Sequence, residues 1–369
     1  MKQKLKLLST QKEIKSFLGK TPLVSASIRV TNACNLRCPH CYTDGGVALR
    51  NELNTQEIKS IIDQLAELKT LYIFFTGGEP LIRRDIVEIL KYTNSKRIKI
   101  SISTNGQLIN KQLLEKLKNL KFTLFQISLE GTEKIHNEII GKETWGKTVK
   151  AIAMTKSVLK KNIGVGTVMM KKNWNVLDQV LMEASRQGAD IFALILLIVT
   201  GRADESMMPS AKEILQGLRL LFNQYKNLHY KIRFSKNTTI PPALVPKEWR
   251  NKGLHKTFAA CPFPYCIGVR ADGYIAPCDG LFNCNEMILG NIRQKSLFEI
   301  WNGSKILKEI RKINPSDLKG VCKKCIYKNY CAGGCRAHAF IKYKNFTAPD
   351  PVCQLIYEAG LFPADCLIK

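Results

Sequence analysis

The sequence lacks any apolar run long enough to cross a bilayer. Its longest, "IFALILLIV" from Ile191 to Val199, is nine residues, against the ~20 that a membrane helix needs. That length suits a strand buried on both faces. The opening stretch, "MKQKLKLLSTQKEIKSFLGK", is basic but has no apolar segment and no cleavage-like site of a secretory signal, so a cytoplasmic location is expected. There is no internal repeat and no low-complexity tract. Acidic residues are scarce, 30 against 57 Lys and Arg, for a formal charge of +27. Many of the lysines fall in stretches such as "LKKNIG" and "MKKNW", between periodic segments where they face water, so the charge reads as a solvated surface before a polyanion site. Cysteine is missing from residues 42 to 260.

That gap matters because the chain is otherwise rich in cysteine. Of thirteen, three lie at 34 to 41 and ten between Cys261 and Cys366. In a reducing compartment such usage points to metal or redox chemistry rather than disulfides, and the gap separates two metal-binding regions. At 369 residues the chain is too long for one small core, and one large domain plus a smaller one is expected.

From 23 to 235 the pattern alternates. Apolar, β-branched runs ("VSASIRV", "LYIFFTGG", "RIKISIST", "FTLFQISLEG", "IGVGTVMM", "IFALILLIVTG") are each followed by a helix-like stretch such as "TQEIKSIIDQLAELKT". Six such units predict an α/β fold, a partial (β/α)6 TIM-type barrel with function at the C-terminal ends of its strands. Residues 1–22 are expected as an N-terminal extension and 236–260, with three prolines and little periodicity, as a linker. Residues 261–369 read as a small cysteine-rich domain organised by metal.

The first cluster, "CNLRCPHCY" at 34–42, follows the first strand, where such a fold places its active site. A C-x3-C-x2-C loop supplies thiolates to three irons of a four-iron cubane and leaves the fourth open. An open iron can chelate an amine and a carboxylate, the groups at the methionyl end of S-adenosylmethionine. The alternative is a zinc site completed by His40, at a spacing unusual for zinc.

Cys34, Cys38 and Cys41, with His40 in the aromatic position before the last cysteine, resemble the signature of the radical S-adenosylmethionine (radical SAM) family. Further motifs follow in the family's order: "FTGGEP" at 75–80, "STNG" at 103–106, "SLEG" at 128–131 and "TGRA" at 200–203. The resemblance implies a [4Fe–4S] cluster on the three cysteines. It also implies an S-adenosylmethionine site drawn from His40, Gly77, Gly78, Glu79, Ser103, Asn105, Ser128 and Arg202, with the GGE backbone toward the methionine amino group and Arg202 toward the carboxylate. One departure stands out: relatives often have His-Asp-x-x-Arg-Gly after the fourth strand, and here the sequence is "HNEIIG", with Ile140 at the arginine position.

The C-terminal region resembles the SPASM domain of radical SAM maturases through Cys322-x2-Cys325-x5-Cys331-x3-Cys335 and Cys353, preceded by Cys261, Cys266, Gly273 and Cys278. The resemblance implies two auxiliary [4Fe–4S] clusters, one on Cys261, Cys266, Cys278 and Cys335, the other on Cys322, Cys325, Cys331 and Cys353. A zinc ribbon on Cys322, Cys325, Cys331 and Cys335 is the competing reading, and it leaves four cysteines unexplained. Cys284 and Cys366 fit neither cluster and are expected as ordinary thiols, Cys366 with the option of an extra ligand. Asp279, directly after Cys278, matches an aspartate proposed as a base in sulfatase-maturing relatives and is the candidate catalytic residue.

These resemblances imply an oxidoreductase that reductively cleaves S-adenosylmethionine and abstracts hydrogen from a substrate, expected to be a peptide or protein being matured. The 24 residues before the first strand are too few for a leader-recognition domain, so a partner or the barrel mouth would read any leader. The alternative is oxidation of a haem or tetrapyrrole precursor, an anionic small molecule, because "FALILLIVTGRA" and "CAGGCRAHAF…APDPVC" resemble that branch. An electron donor such as ferredoxin or flavodoxin is implied. A zinc-containing nucleic-acid binder is the distant alternative; it leaves the barrel motifs idle, and nucleic acid is not expected as a partner.

Overall fold

The structure is a computed structural model and describes residues 22–160, 162–235, 238–257 and 261–368. Apart from its last residue, the expected N-terminal extension, 1–22, lies outside the described residues. The β-branched runs form β1 (Ser25–Arg29), β2 (Tyr72–Thr76), β3 (Lys99–Thr104), β4 (Phe122–Ser128), β5 (Ile163–Met169) and β6 (Ile191–Leu196). Between and after them lie α1 (Thr55–Glu67), α2 (Ile86–Ser95), α3 (Lys111–Leu117), α4 (Glu133–Ile140), α5 (Thr144–Leu159), α6 (Leu177–Arg186) and α7 (Ala211–Asn227).

Helix α1 shows how the sequence specifies these units. Asn54 and Glu57 close a capping box at its start, and Ile58, Ile61, Ile62 and Leu65 share one face and are all buried. Within the curl of strands, glycine makes room for larger neighbours. A methyl group on Gly164 would sit 2.5 Å from Leu124 Cδ1, and one on Gly166 would sit 2.5 Å from Gln126 Nε2.

Strands β1 to β6 pair in parallel and in chain order, as the partial barrel requires. The sheet then extends beyond both expected edges. A short β7 (Arg233–Phe234) joins β6, and β8 (Cys266–Val269) joins β1 in parallel, with Ser25 opposite Cys266 and Ile28 opposite Val269. Antiparallel β9 (Tyr274–Ala276) and β10 (Gly290–Asn291) complete, among the described residues, a ten-stranded sheet in the order β10-β9-β8-β1-β2-β3-β4-β5-β6-β7. The cysteine-rich region is therefore hydrogen-bonded into the barrel sheet.

Within the expected linker, the described residues 238–257 pack rather than span. Ile240, Ala243, Leu244, Val245 and Trp249 belong to the main core, and the Trp249 ring meets Phe222 and Tyr225 of α7. Its prolines hide any periodicity by setting short helical turns at Pro242–Leu244 and Lys247–Asn251. Beyond it, short helices surround a second apolar cluster that includes Phe263, Leu281, Phe282, Phe340 and Phe346.

Candidate active site and iron–sulfur centres

The loop leaving β1 carries Cys34, Cys38 and Cys41, and three neighbours fix it. From β2, the N–H groups of Gly78 and Glu79 donate to the carbonyls of Thr31 and Ala33, each at 2.8 Å. A Cβ on Gly77 would fall 2.3 Å from Thr31 O, and one on Gly78 would fall 2.2 Å from Ala33 O, so only glycine allows this approach. On the opposite side, the Glu52 carboxylate accepts from Thr31 Oγ1 and the N–H groups of Asn32 and Leu49 at 2.7, 2.7 and 3.0 Å. After β6, Arg202 closes the loop: Nε donates to Cys38 O at 3.0 Å, and Nη1 donates to Gly45 O at 2.7 Å and Asp44 Oδ1 at 2.8 Å.

The remaining expected residues surround the same mouth. Glu79 is fully buried and accepts from Leu81 N, Thr104 Oγ1 and Asn105 N at 3.0, 2.8 and 2.7 Å. It ties the end of β2 to the end of β3, and burial raises its pKa. Asn105 Nδ2 donates to Asn35 Oδ1 of the cysteine loop at 2.8 Å. Ser103 and Ser128 stand half-buried near the ends of β3 and β4. His40 Nε2 lies 3.7 Å from Glu130 Oε1. Glu130 is itself buried, accepting from Val168 N at 2.7 Å, while its own N–H donates to His136 Nδ1 at 3.0 Å.

From residue 261 onward, eight of the ten cysteines separate into two groups. Cys322, Cys325, Cys331 and Cys353 line one largely apolar cavity, with Pro241, Pro242 and Phe362 among its walls. Cys261, Cys266, Cys278 and Cys335 form the second, each near enough to perturb others of the set. Asp350 stands between the two groups. Its Oδ2 accepts from Cys335 N at 3.3 Å, its Oδ1 accepts from Cys353 N at 3.1 Å, and its own N–H donates to Cys322 Sγ at 3.2 Å. Among the described residues, no three His, Cys, Asp or Glu side chains converge on one ion. A polynuclear cluster instead spreads its thiolates over separate irons.

Two family matches meet this geometry: residues 28–183 match the radical SAM superfamily, and residues 261–326 match the SPASM iron–sulfur cluster-binding domain. This chain is a radical SAM enzyme with a SPASM domain. The enzyme is 27% identical over 345 residues to the AdoMet-dependent heme synthase of Methanosarcina barkeri, covering 90% of this chain and 95% of that one. It is also 27% identical to the mycofactocin maturase MftC of Mycolicibacterium smegmatis, covering 88% and 81%. In fold it matches Streptococcus suis SuiB bound to S-adenosylmethionine, with TM-score 0.73 and 22% identity, covering 93% of this chain and 80% of that one.

The cofactors of this radical SAM enzyme are S-adenosylmethionine with a [4Fe–4S] cluster in the barrel and auxiliary iron–sulfur clusters in the SPASM region. The donor sets suit iron. Burial first, then Glu130 and the other two thiols, pushes Cys38 up to about 12, and burial likewise raises Cys34. In the auxiliary groups, burial pushes Cys322 up to about 11 and Cys335 up to about 12. Thiols so crowded ionise only when a cation is supplied, which bound iron does.

Several expected residues are placed differently in detail. The N–H groups of Gly78 and Glu79 hold the cysteine loop. Arg202 grips that same loop. Asp279, the candidate base, already receives Arg29 Nε on Oδ1 at 2.7 Å and the Tyr42 hydroxyl on Oδ2 at 2.5 Å, while its backbone carbonyl accepts from Arg29 Nη2 at 2.8 Å. It therefore joins β1 and the cysteine loop to the SPASM region. Cys284 is buried within the second apolar cluster. Cys366 is fully buried and accepts from Arg250 Nη1.

Sequence reasoning missed Arg29, Tyr42, Glu52, Glu130 and Asp350. Arg29 carried a signal: a lone cation inside the apolar run "SASIRV" must find a buried partner. Glu52 carried none, because its role depends on how the loop folds back.

Proposed function

We propose that this radical SAM enzyme matures a peptide or protein, abstracting hydrogen from an apolar residue held at the barrel mouth. The observation that supports this reading is an apolar wall following β4, β5 and β6. Ile139, Met170, Leu197 and Ala203 are buried there, with Ile135, Ile140, Val168, Met207 and Met208 half-buried around them. Ile140 occupies the position where relatives often carry arginine, so this cluster carries no charge at that position. A neutral wall favours an apolar side chain over a carboxylate.

A cluster held by Cys34, Cys38 and Cys41 would supply the one-electron reduction by which S-adenosylmethionine becomes a hydrogen-abstracting agent. The chain's own residues do the rest of the positioning. Gly77, Gly78 and Glu52 hold the cysteine loop, Glu79 fixes the β3 turn beside it, and the Arg29–Asp279–Tyr42 contact sets the auxiliary region against the barrel. Cys34, Cys38 and Cys41 are the ligands of the barrel cluster, and the two groups of four hold the auxiliary clusters. Ser103, Asn105, Ser128 and His40 border the cofactor. A ferredoxin or flavodoxin supplies electrons in the cytoplasm; no helix among the described residues is long and apolar enough to cross a membrane.

The likeness to heme synthases, spanning 95% of the Methanosarcina barkeri protein, favours a second reading in which a tetrapyrrole carboxylate is oxidised. One experiment separates the two. Anaerobically prepared protein, carrying about twelve irons for three cubanes, is given S-adenosylmethionine, dithionite and either peptides encoded beside its gene or an iron-coproporphyrin. Deoxyadenosine formed in step with a peptide mass change is expected. Turnover of the porphyrin with every such peptide unchanged would replace this reading with the second.

A further inference from the structure

The SPASM region holds a buried cation without a counter-ion. Arg336 follows Cys335, opens the helix Arg336–Tyr343 and is 5% exposed. Its Nη1 donates to Phe346 O at 2.8 Å and Ala348 O at 2.6 Å. Nε and Nη2 are also buried, and neither has a hydrogen-bond partner among the described residues. Asp350, an acid in this region, gives its oxygens to the N–H groups of Cys335, Val352 and Cys353. A guanidinium stranded in this way is strongly unfavourable unless something absent from the polypeptide completes it.

The unpaired side of the guanidinium lies against Gly333. A Cβ there would fall 2.6 Å from Arg336 Cζ and 2.7 Å from Nη2, so the glycine leaves room for the group. Gly333 in turn lines the cavity of Cys322, Cys325, Cys331 and Cys353. The charge of Arg336 also acts on both cysteine groups, on Cys322 of one and on Cys261 and Cys335 of the other. A cubane on four thiolates carries a net charge of about −2, so the cation stands between two sites that become anionic when loaded.

We propose that Arg336 is the counter-ion of the auxiliary clusters, donating from Nε and Nη2 to their sulfur atoms and holding their reduction potentials up. The sign follows from charge. A nearby cation stabilises the more negative, reduced cluster, and donors to cluster sulfur act in the same direction. Arg336 is a positioning and tuning residue and ligates no iron. The inference rests on the two ligand groups assigned above, and their failure would show separately, as missing iron in the unmodified protein.

The test uses full-length protein with Cys34, Cys38 and Cys41 changed to Ala, so that only auxiliary clusters contribute to the paramagnetic signal, at about eight irons per chain. In redox titrations followed by electron paramagnetic resonance, Arg336→Gln is expected to disfavour reduction at least tenfold, which is about 59 mV for a one-electron couple. Arg336→Lys, which keeps the charge, should shift it less. Wild-type potentials in both variants at full iron would overturn the proposal. Should Arg336→Gln fail to load iron, 15N-arginine labelling of protein with Arg336 intact gives a second reading. Nitrogen coupling to a reduced cluster that disappears in Arg336→Lys supports the assignment, and absence of coupling refutes it.

Discussion

Replacing Asp279 with Leu separates a structural contact from a catalytic base. Arg29 has 4% of its side-chain surface exposed and Asp279 13%, and the guanidinium also stacks 4.8 Å from the Phe282 ring centroid. Removing one partner of a buried ion pair destabilises by about 3–5 kcal/mol, because the other charge is left uncompensated. The double variant Arg29→Met/Asp279→Leu removes that charge as well. It should recover most of the loss, leaving a deficit of about 1–3 kcal/mol from the unpaired Tyr42 hydroxyl. Burial first, then the Asp279 charge, raises the Tyr42 pKa well above its usual value. A raised pKa means that the Tyr42 contribution is complete below the ordinary value near 10 and lost only as pH climbs through the folded value, so the contact should be insensitive to pH from 6 to 9. The assay is anaerobic urea unfolding of iron-loaded protein, with deoxyadenosine and product measured on the same samples. A single variant within about 0.5 kcal/mol of wild type that still made deoxyadenosine but no product would refute this reasoning and restore Asp279 as a base.

Gly78→Ala would drive a methyl group to 2.2 Å from Ala33 O and 2.4 Å from Asn32 O, and is expected to remove about four irons per chain and all deoxyadenosine formation while the auxiliary clusters persist; full iron would show that the loop tolerates the shift. Arg202→Ala should weaken S-adenosylmethionine binding by about one to two decades, from about 1.5–3 kcal/mol of lost charge-assisted bonding and loop order; calorimetry giving an unchanged Kd would exclude both contributions. Burial, its largest cause, holds His136 down at about 4, below its unfolded value near 6.5. Its stabilising contribution is therefore present above pH 6.5 and lost on acidification toward 4, with about 2 kcal/mol gone between pH 7 and 5. His136→Gln should flatten that decline in urea titrations, and an unchanged slope would mean that other groups control it.

Much of the fold was legible because each strand carries its own signal. A β-branched run such as "IGVGTVM" predicts β5 without knowledge of its partners, and the spacing of Ile58, Ile61, Ile62 and Leu65 predicts the buried face of α1. Strand β8 was not legible, because Cys266 and its neighbours read first as metal ligands and the strand exists only through pairing with β1. The same limit applied at the site. Motif order located Cys34, Cys38, Cys41 and Arg202, whereas the hold of Glu52 and Arg202 on the cysteine loop runs largely through backbone carbonyls and N–H groups, which leave no trace in side-chain pattern. Asp350 was quoted within a motif but passed over, since an acid before a proline at a helix start reads as an ordinary cap, and its second task of linking two cysteine groups depends on tertiary placement.

The pairing of β8 with β1 imposes an order on biosynthesis. Strand β1 receives its neighbour β8 only after the whole barrel has been translated, and until then its edge on that side lacks the partner seen in the folded sheet. The cysteine loop hangs from that unfinished edge. A nascent or truncated chain ending before Cys261 would therefore be prone to edge-to-edge association, with its barrel cysteines exposed to oxidants. Completion of the sheet beside the N-terminal cysteine loop thus waits on synthesis of the C-terminal third, and heterologous production should favour conditions that slow aggregation of the incomplete chain over those that merely raise iron supply.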